Sequence, residues 1–214
     1  TSQLVLKPGN VLCVESGRYT YDTFVGAEIV AQGTKEAPIK ITGRASAAGE
    51  YPKIEFTGAV AMDFRAAEYV TVENIEIDGG AKALDARSTV ADFWWANKKI
   101  TNQGQMCFRL RDKSRHVKIL GCACHDVSDN AVTVLDAFYT TIKNNVFYRI
   151  GWYPSTSTTT PTAIRRAYTP KTSEVEEDGE YRLDIDGNAI FNVESHVYAR
   201  SDTDSTGEIV DAIA

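Results

Sequence analysis

No stretch of this chain approaches the roughly 18 consecutive apolar residues that a membrane-crossing helix needs, so a helical membrane span is excluded. Clustered basic charge is missing too. The 23 Lys and Arg residues are scattered among 29 acidic ones at a net charge of −6, which argues against nucleic acid as a partner. Cysteine is scarce and never spaced as C-x-x-C. The four cysteines, Cys13, Cys107, Cys122 and Cys124, have no histidine at ligand spacing, which argues against a zinc site. Buried thiols are the expected state, with a disulfide through Cys13 or Cys107 as the alternative. No amphipathic helical pattern of useful length appears. The chain also lacks the tight Asn-Gly hairpin turns that an antiparallel sandwich would use.

What the chain has instead is an internal repeat. Val70–Ile77, Val117–Cys124, Thr140–Phe147 and Leu183–Ile190 align without gaps. Val72, Ile119, Ile142 and Ile185 share one apolar position, and Ile77, Cys124, Phe147 and Ile190 share another, so the two-residue alternation of a strand stays in phase from copy to copy. Between the apolar positions stand Asn74, Gly121, Asn144 and Gly187, residue types that tolerate the left-handed backbone of a sharp bend. A third strand precedes each pair: Ala61–Phe64, Cys107–Leu110, Ala131–Val134 and Thr162–Arg165. Three short strands recurring every 23–24 residues or so predict an all-β chain, a right-handed parallel β-helix occupying residues 1–214 as a single domain. Insertions at about 79–105, 151–161 and 167–180 interrupt the period and should gather on a binding face. Gly207–Ile213 reads as the first strand of a further coil. A solenoid needs caps, so either it is incomplete, with an uncapped end open to end-to-end self-association, or something else covers that end.

The opening segments Lys7-Pro-Gly…Val-Glu-Ser-Gly-Arg-Tyr-Thr20 and Gly33-Thr-Lys-Glu-Ala-Pro-Ile-Lys-Ile-Thr42, together with the repeats, resemble the secreted, carbohydrate-active parallel β-helix proteins, the pectate-lyase-like polysaccharide lyases. That resemblance implies a secreted, periplasmic or cell-surface protein. It implies cleavage of an acidic, uronate-containing polysaccharide by β-elimination, with Ca2+ as cofactor. A non-catalytic glycan-binding or adhesin-like module, or an inactive lyase fragment, is the alternative. A glycoside hydrolase on the same scaffold is the second.

Alternation along the first strand of each coil sends Met62, Phe64, Phe108, Leu110, Val132, Val134 and Ile164 to the core. Asp63, Arg65, Arg109, Arg111, Asp112, Thr133, Asp136, Arg165 and Arg166 are left outside or at strand ends, where coils about 4.8 Å apart would interleave arginines and aspartates. By the resemblance, Arg109, Arg111, Arg165 and Arg166 bind uronate carboxylates or take the α-proton. Asp112, Asp129, Asn130 and Asp136, with Asp63, would hold Ca2+. The paired Asp-Asp-Gly of some calcium-dependent lyases is here Ser128-Asp129-Asn130-Ala131, so one ligand charge is missing. The Asn-Thr-Asp, Asp-Asp, His-Gly and Arg-Ile-Lys set of polygalacturonases is absent, which makes a hydrolytic carboxylate pair the weaker reading. Asp63 and Arg65 are further candidates for substrate contact. Trp94, Trp95, Trp152 and Tyr153 lie in the first two insertions, where they could stack on sugar rings or pack as a satellite core. His116, His125 and His196 read as ordinary surface or turn histidines.

Overall fold

A computed structural model describes residues 3–22, 27–80, 104–151, 162–168, 183–193, 196–202 and 209–213. They form 19 strands and, among the described residues, no helix. The strands come in triplets. β1 (Gln3–Leu6), β2 (Val11–Val14) and β3 (Arg18–Asp22) are followed by β4 (Ala27–Ala31), β5 (Ile39–Gly43) and the first part of β6 (Lys53–Arg65). The rest of β6 opens the next triplet with β7 (Glu68–Glu73) and β8 (Glu76–Asp78). Then come β9 (Gly104–Arg111), β10 (Arg115–Leu120) and β11 (Ala123–Val127), and β12 (Val132–Leu135), β13 (Thr140–Lys143) and β14 (Val146–Ile150). β15 (Thr162–Tyr168), β16 (Leu183–Asp186) and β17 (Ala189–Val193) complete the series, and β18 (His196–Asp202) and β19 (Ile209–Ile213) follow.

First members pair with first members, second with second, and third with third, always in parallel. The chain therefore visits three parallel ladders in rotation. β6 belongs to the third ladder at its start and the first at its end, which joins those two into a 13-stranded sheet; the second ladder is a separate 6-stranded sheet.

The alternation read from the sequence becomes rows of stacked side chains. Val72, Ile119, Ile142 and Ile185 are consecutive register partners, as are Ile77, Cys124, Phe147 and Ile190, and Met62, Phe108, Val132 and Ile164. All but the terminal Ile185 and Ile190 are buried. At the bend between second and third ladders, Asn74, Gly121, Asn144 and Gly187 all adopt left-handed φ, between 57° and 64°. The alternation of Asn with Gly has a packing cause. A Cβ on Gly121 would lie 3.0 Å from the Asn74 Oδ1, and one on Gly187 2.4 Å from the Asn144 Oδ1, so each asparagine amide lies over the glycine of the next turn.

Inside the same corner runs a polar thread. Asn145 accepts the Cys122 N–H (2.8 Å) on its Oδ1 and donates through Nδ2 to Ile119 O (3.0 Å) and Asn188 Oδ1 (2.9 Å). Asn188 in turn donates to Ile142 O (2.8 Å). These amides replace ladder bonds that the backbone cannot make where it turns.

Several expectations are corrected. Cys107 and Cys124 are not thiols but a disulfide, with Cα atoms 6.2 Å apart across the interior from first to third ladder. Cys13 is a free, exposed thiol and Cys122 a free, buried one whose pKa burial pushes up to about 12. Alkylation of the native chain should thus label Cys13 alone, with Cys122 reacting only after unfolding and Cys107 and Cys124 only after reduction; rapid native labelling of a second cysteine would contradict this. β19 does not begin a further parallel coil. It turns back antiparallel on β18, occupying the edge that end-to-end pairing of the first ladder would use. The interruptions are narrower than expected, since Gly104 already belongs to β9 and Ala167 and Tyr168 to β15. No helix of the described residues is long and apolar enough to cross a membrane.

Candidate functional site: an arginine–aspartate ladder

Glu28, Asp63, Arg109, Thr133 and Arg165 are successive register partners on the first ladder, and Arg65 is paired with Arg111 one step along. Strand spacing of about 4.8 Å brings a guanidinium within reach of a carboxylate on the neighbouring strand. Asp63 is fully buried and is gripped from two sides. Arg109 donates Nε to Oδ1 (3.0 Å) and Nη2 to Oδ2 (2.6 Å), and Arg111 makes the same pair of bonds at 3.0 and 2.6 Å. Burial pushes the Asp63 carboxyl up, but the two guanidinia outweigh it and hold the pKa below its ordinary value. Asp63 takes two of the five N–H donors of each arginine, fixes both forks, and leaves the three-residue group with one positive charge.

Arg65 donates Nε to Asp112 (2.7 Å) and Nη1 to Glu28 (3.4 Å), so Asp112 is an ion-pair partner just past the end of β9. Asp136 holds the same place after β12, at left-handed φ like Asp112, and is itself partnered. Asp129 and Asn130 precede β12. The expected calcium ligands are thus spread over three strands, β6, β9 and β12, and over both ends of the last, and form no common cluster. Asn130 is turned inward: it is 1% exposed, its Oδ1 accepts the Thr162 N–H at 2.9 Å, and its Nδ2 is buried without a partner. The Asp129 carboxyl is pushed up to about 6 by burial, against the opposing charge of Arg165.

Arg166 is the register partner of the buried Val134, which continues the row of Phe64 and Leu110, whereas Arg165 is on the row of Asp63 and Arg109; both arginines are partly exposed. Trp94, Trp95, Trp152 and Tyr153 lie outside the described residues.

Sequence reasoning missed a second polar group. His125, on the third ladder, is 3% exposed rather than a surface histidine. Its Nδ1 lies 2.5 Å from Asp126 Oδ2 and its Nε2 3.0 Å from Glu76 Oε1, and the ring stacks on Tyr148 at 4.5 Å. Lys53 bonds Glu76 (3.0 Å) and Asp78 (2.8 Å), while Arg149 clamps Asp126 and lies over Tyr148. Burial raises Glu76 and Asp126, yet Lys53 and His125 on the first, and Arg149 and His125 on the second, bring both below their ordinary values. Asp78, His125 and Asp126 offer ligand atoms within 4.8 Å of one another, but a metal ion there would have to displace Lys53 and Arg149 from the same carboxylates. The signal in the sequence was positional: His125 shares the row of Asp78 and Tyr148. His116 is likewise not a simple surface residue, for it is sandwiched between Tyr69 (4.3 Å) and Tyr139 (4.8 Å).

The sequence matches no known protein family, and no curated protein is similar to it.

Proposed function

We propose that the three ladders are the walls of a right-handed parallel β-helix, and that the protein is a secreted lyase that cleaves an acidic polysaccharide by β-elimination. The observation that carries this reading is the Asp63 clamp. A buried carboxylate holding two guanidinia in bidentate geometry, with Arg165 on the same outer row, pre-organises a cationic strip along the ladder. Guanidinium contact with a uronate carboxylate lowers the energy of the enolate-like charge that forms when the α-proton passes to a base. Collapse of that charge forms the carbon–carbon double bond and breaks the bond to the glycosidic oxygen, which leaves with a proton taken from water. Arginines remain protonated, so Arg109 and Arg111 act by neutralising charge. Ca2+ has no part in this reading, because the residues expected to hold it form no common cluster. The Cys107–Cys124 disulfide supports an oxidising compartment outside the cytosol.

The test is ultraviolet absorbance of the unsaturated uronate product on pectate, alginate and glycosaminoglycan substrates, with and without EDTA. Wild type should generate it, and Arg109→Ala should lower the rate by about 100-fold or more. The second reading, a glycan-binding module, is favoured by one observation: Arg65, Arg109 and Arg111 are already engaged by acidic side chains. It predicts binding without product.

A further inference from the structure

We propose that the groove at the corner between the second and third ladders is a separate binding site for a short neutral oligosaccharide. The groove encloses about 490 Å3, within the range of roughly 300–1,000 Å3 typical of small-molecule sites. It shares no residue with the arginine face. Its floor is the bend carrying Asn74 and Gly121, and its wall is the segment leading from Gly49 into β6.

Tyr51 is the residue that packing does not explain. It is 49% exposed, yet the backbone on either side is held firmly. The Ser46 hydroxyl accepts the N–H groups of Ala48 and Glu50 (both 3.2 Å), Ser46 N–H donates to Glu50 O (2.8 Å), and the buried Pro52 accepts Glu76 N–H on its carbonyl at 3.0 Å. A rigid turn therefore presents an aromatic ring to solvent beside a concave surface, which is how a ring platform for stacking is built.

The charges around it choose the ligand class. Arg18, Lys53, Glu50 and Glu76 line the groove, two cations and two anions. Arg18 is paired with Glu55 at 2.5 Å and Lys53 with Glu76 at 3.0 Å, so the groove has no surplus field to collect an anionic polymer. An apolar ligand would desolvate four charged groups without replacing their hydrogen bonds. Hydroxyl groups, which donate and accept, satisfy carboxylates, ammonium and guanidinium together, and the face of a pyranose ring fits the tyrosine. An aromatic face beside charged groups of both signs is the surface that a neutral sugar fits and an acidic one does not.

Nuclear magnetic resonance titration of the whole chain with cello-, xylo-, manno- and laminari-tetraose, with trigalacturonate as the charged comparison, tests this. At least one neutral tetrasaccharide should shift resonances around Tyr51, Gly121 and Ala123. Tyr51→Ala should weaken that binding about tenfold, Tyr51→Phe should keep it within about twofold, and Arg165→Ala should leave it unchanged. Tyr51 is exposed, so both variants should retain the wild-type spectrum elsewhere. The proposal is overturned if no neutral tetrasaccharide binds at about 10 mM, if Tyr51→Ala binds as wild type does, or if trigalacturonate alone shifts these resonances. Failure of acidic-glycan cleavage at the arginine ladder would leave this result standing, because the two sites have no residue in common.

Discussion

Replacing Asp63 by alanine should destabilise the protein by about 3 kcal/mol and abolish its affinity for acidic oligosaccharides. Removing one partner of a buried ion pair typically costs about 3–5 kcal/mol because the remaining charge is left uncompensated. The lower end applies here, since the Arg109 and Arg111 side chains keep about a fifth and a quarter of their surface exposed. The same substitution adds a positive charge to the strip, so a purely electrostatic account would have binding rise. The clamp predicts the opposite, because the two forks lose the carboxylate that aims them. Asp63→Asn, which keeps the volume and removes the charge, should behave alike. The pH dependence has the same origin. A carboxyl held below its ordinary pKa stabilises the fold above its unfolded value and loses that contribution as pH falls. For Asp63, Glu76 and Asp126 the ordinary values are 3.8, 4.5 and 3.8, so their contribution is full above about pH 5 and lost below about pH 4. Asp129, held up at about 6, works the opposite way between about pH 4 and 6. Denaturant midpoints should therefore be level above about pH 5 and fall below about pH 4 in an Asp129→Asn background, and in wild type should dip as pH rises to about 6. The acid loss should be smaller in Asp63→Asn than in wild type.

Asn145→Ala should cost a comparable amount, about 3 kcal/mol, without touching the arginine ladder. The side chain is 1% exposed and satisfies a backbone N–H at Cys122 and a carbonyl at Ile119. Each group stranded by the substitution costs about 1–3 kcal/mol when water cannot reach it. Asn188 would lose a partner as well. Chemical denaturation read by far-ultraviolet circular dichroism measures the loss. An effect below about 1 kcal/mol would mean that these turns are not held by their amides.

Much of the ladder pattern was legible in the sequence because it depends on spacing alone. The alignment of Val72, Ile119, Ile142 and Ile185, and the left-handed bends at Asn74, Gly121, Asn144 and Gly187, follow from strand periodicity and backbone sterics. The proximity of Asp63 to Arg109 was legible for the same reason, being a matter of register. What the sequence concealed depends on where side chains reach across strands. Arg111 bends to a carboxylate that is not its register partner. Cys107 and Cys124 are 17 residues apart in the chain but meet across the interior, which requires the positions of two ladders at once. His125 is buried by its neighbours, Tyr148 and Arg149, which belong to the next triplet. Alternation says nothing of strand direction, so the antiparallel return of β19 left no trace in the residue pattern.

Calorimetric titration of the intact protein with trigalacturonate, oligoalginate and glycosaminoglycan tetrasaccharides, at low and physiological ionic strength, tests the arginine ladder most directly. The account predicts that one acidic series binds, that its affinity falls as salt screens the guanidinia, and that Asp63→Asn and Arg165→Ala each lose it while remaining folded. Absence of binding by every acidic series, or affinity unaltered in both variants, would contradict it.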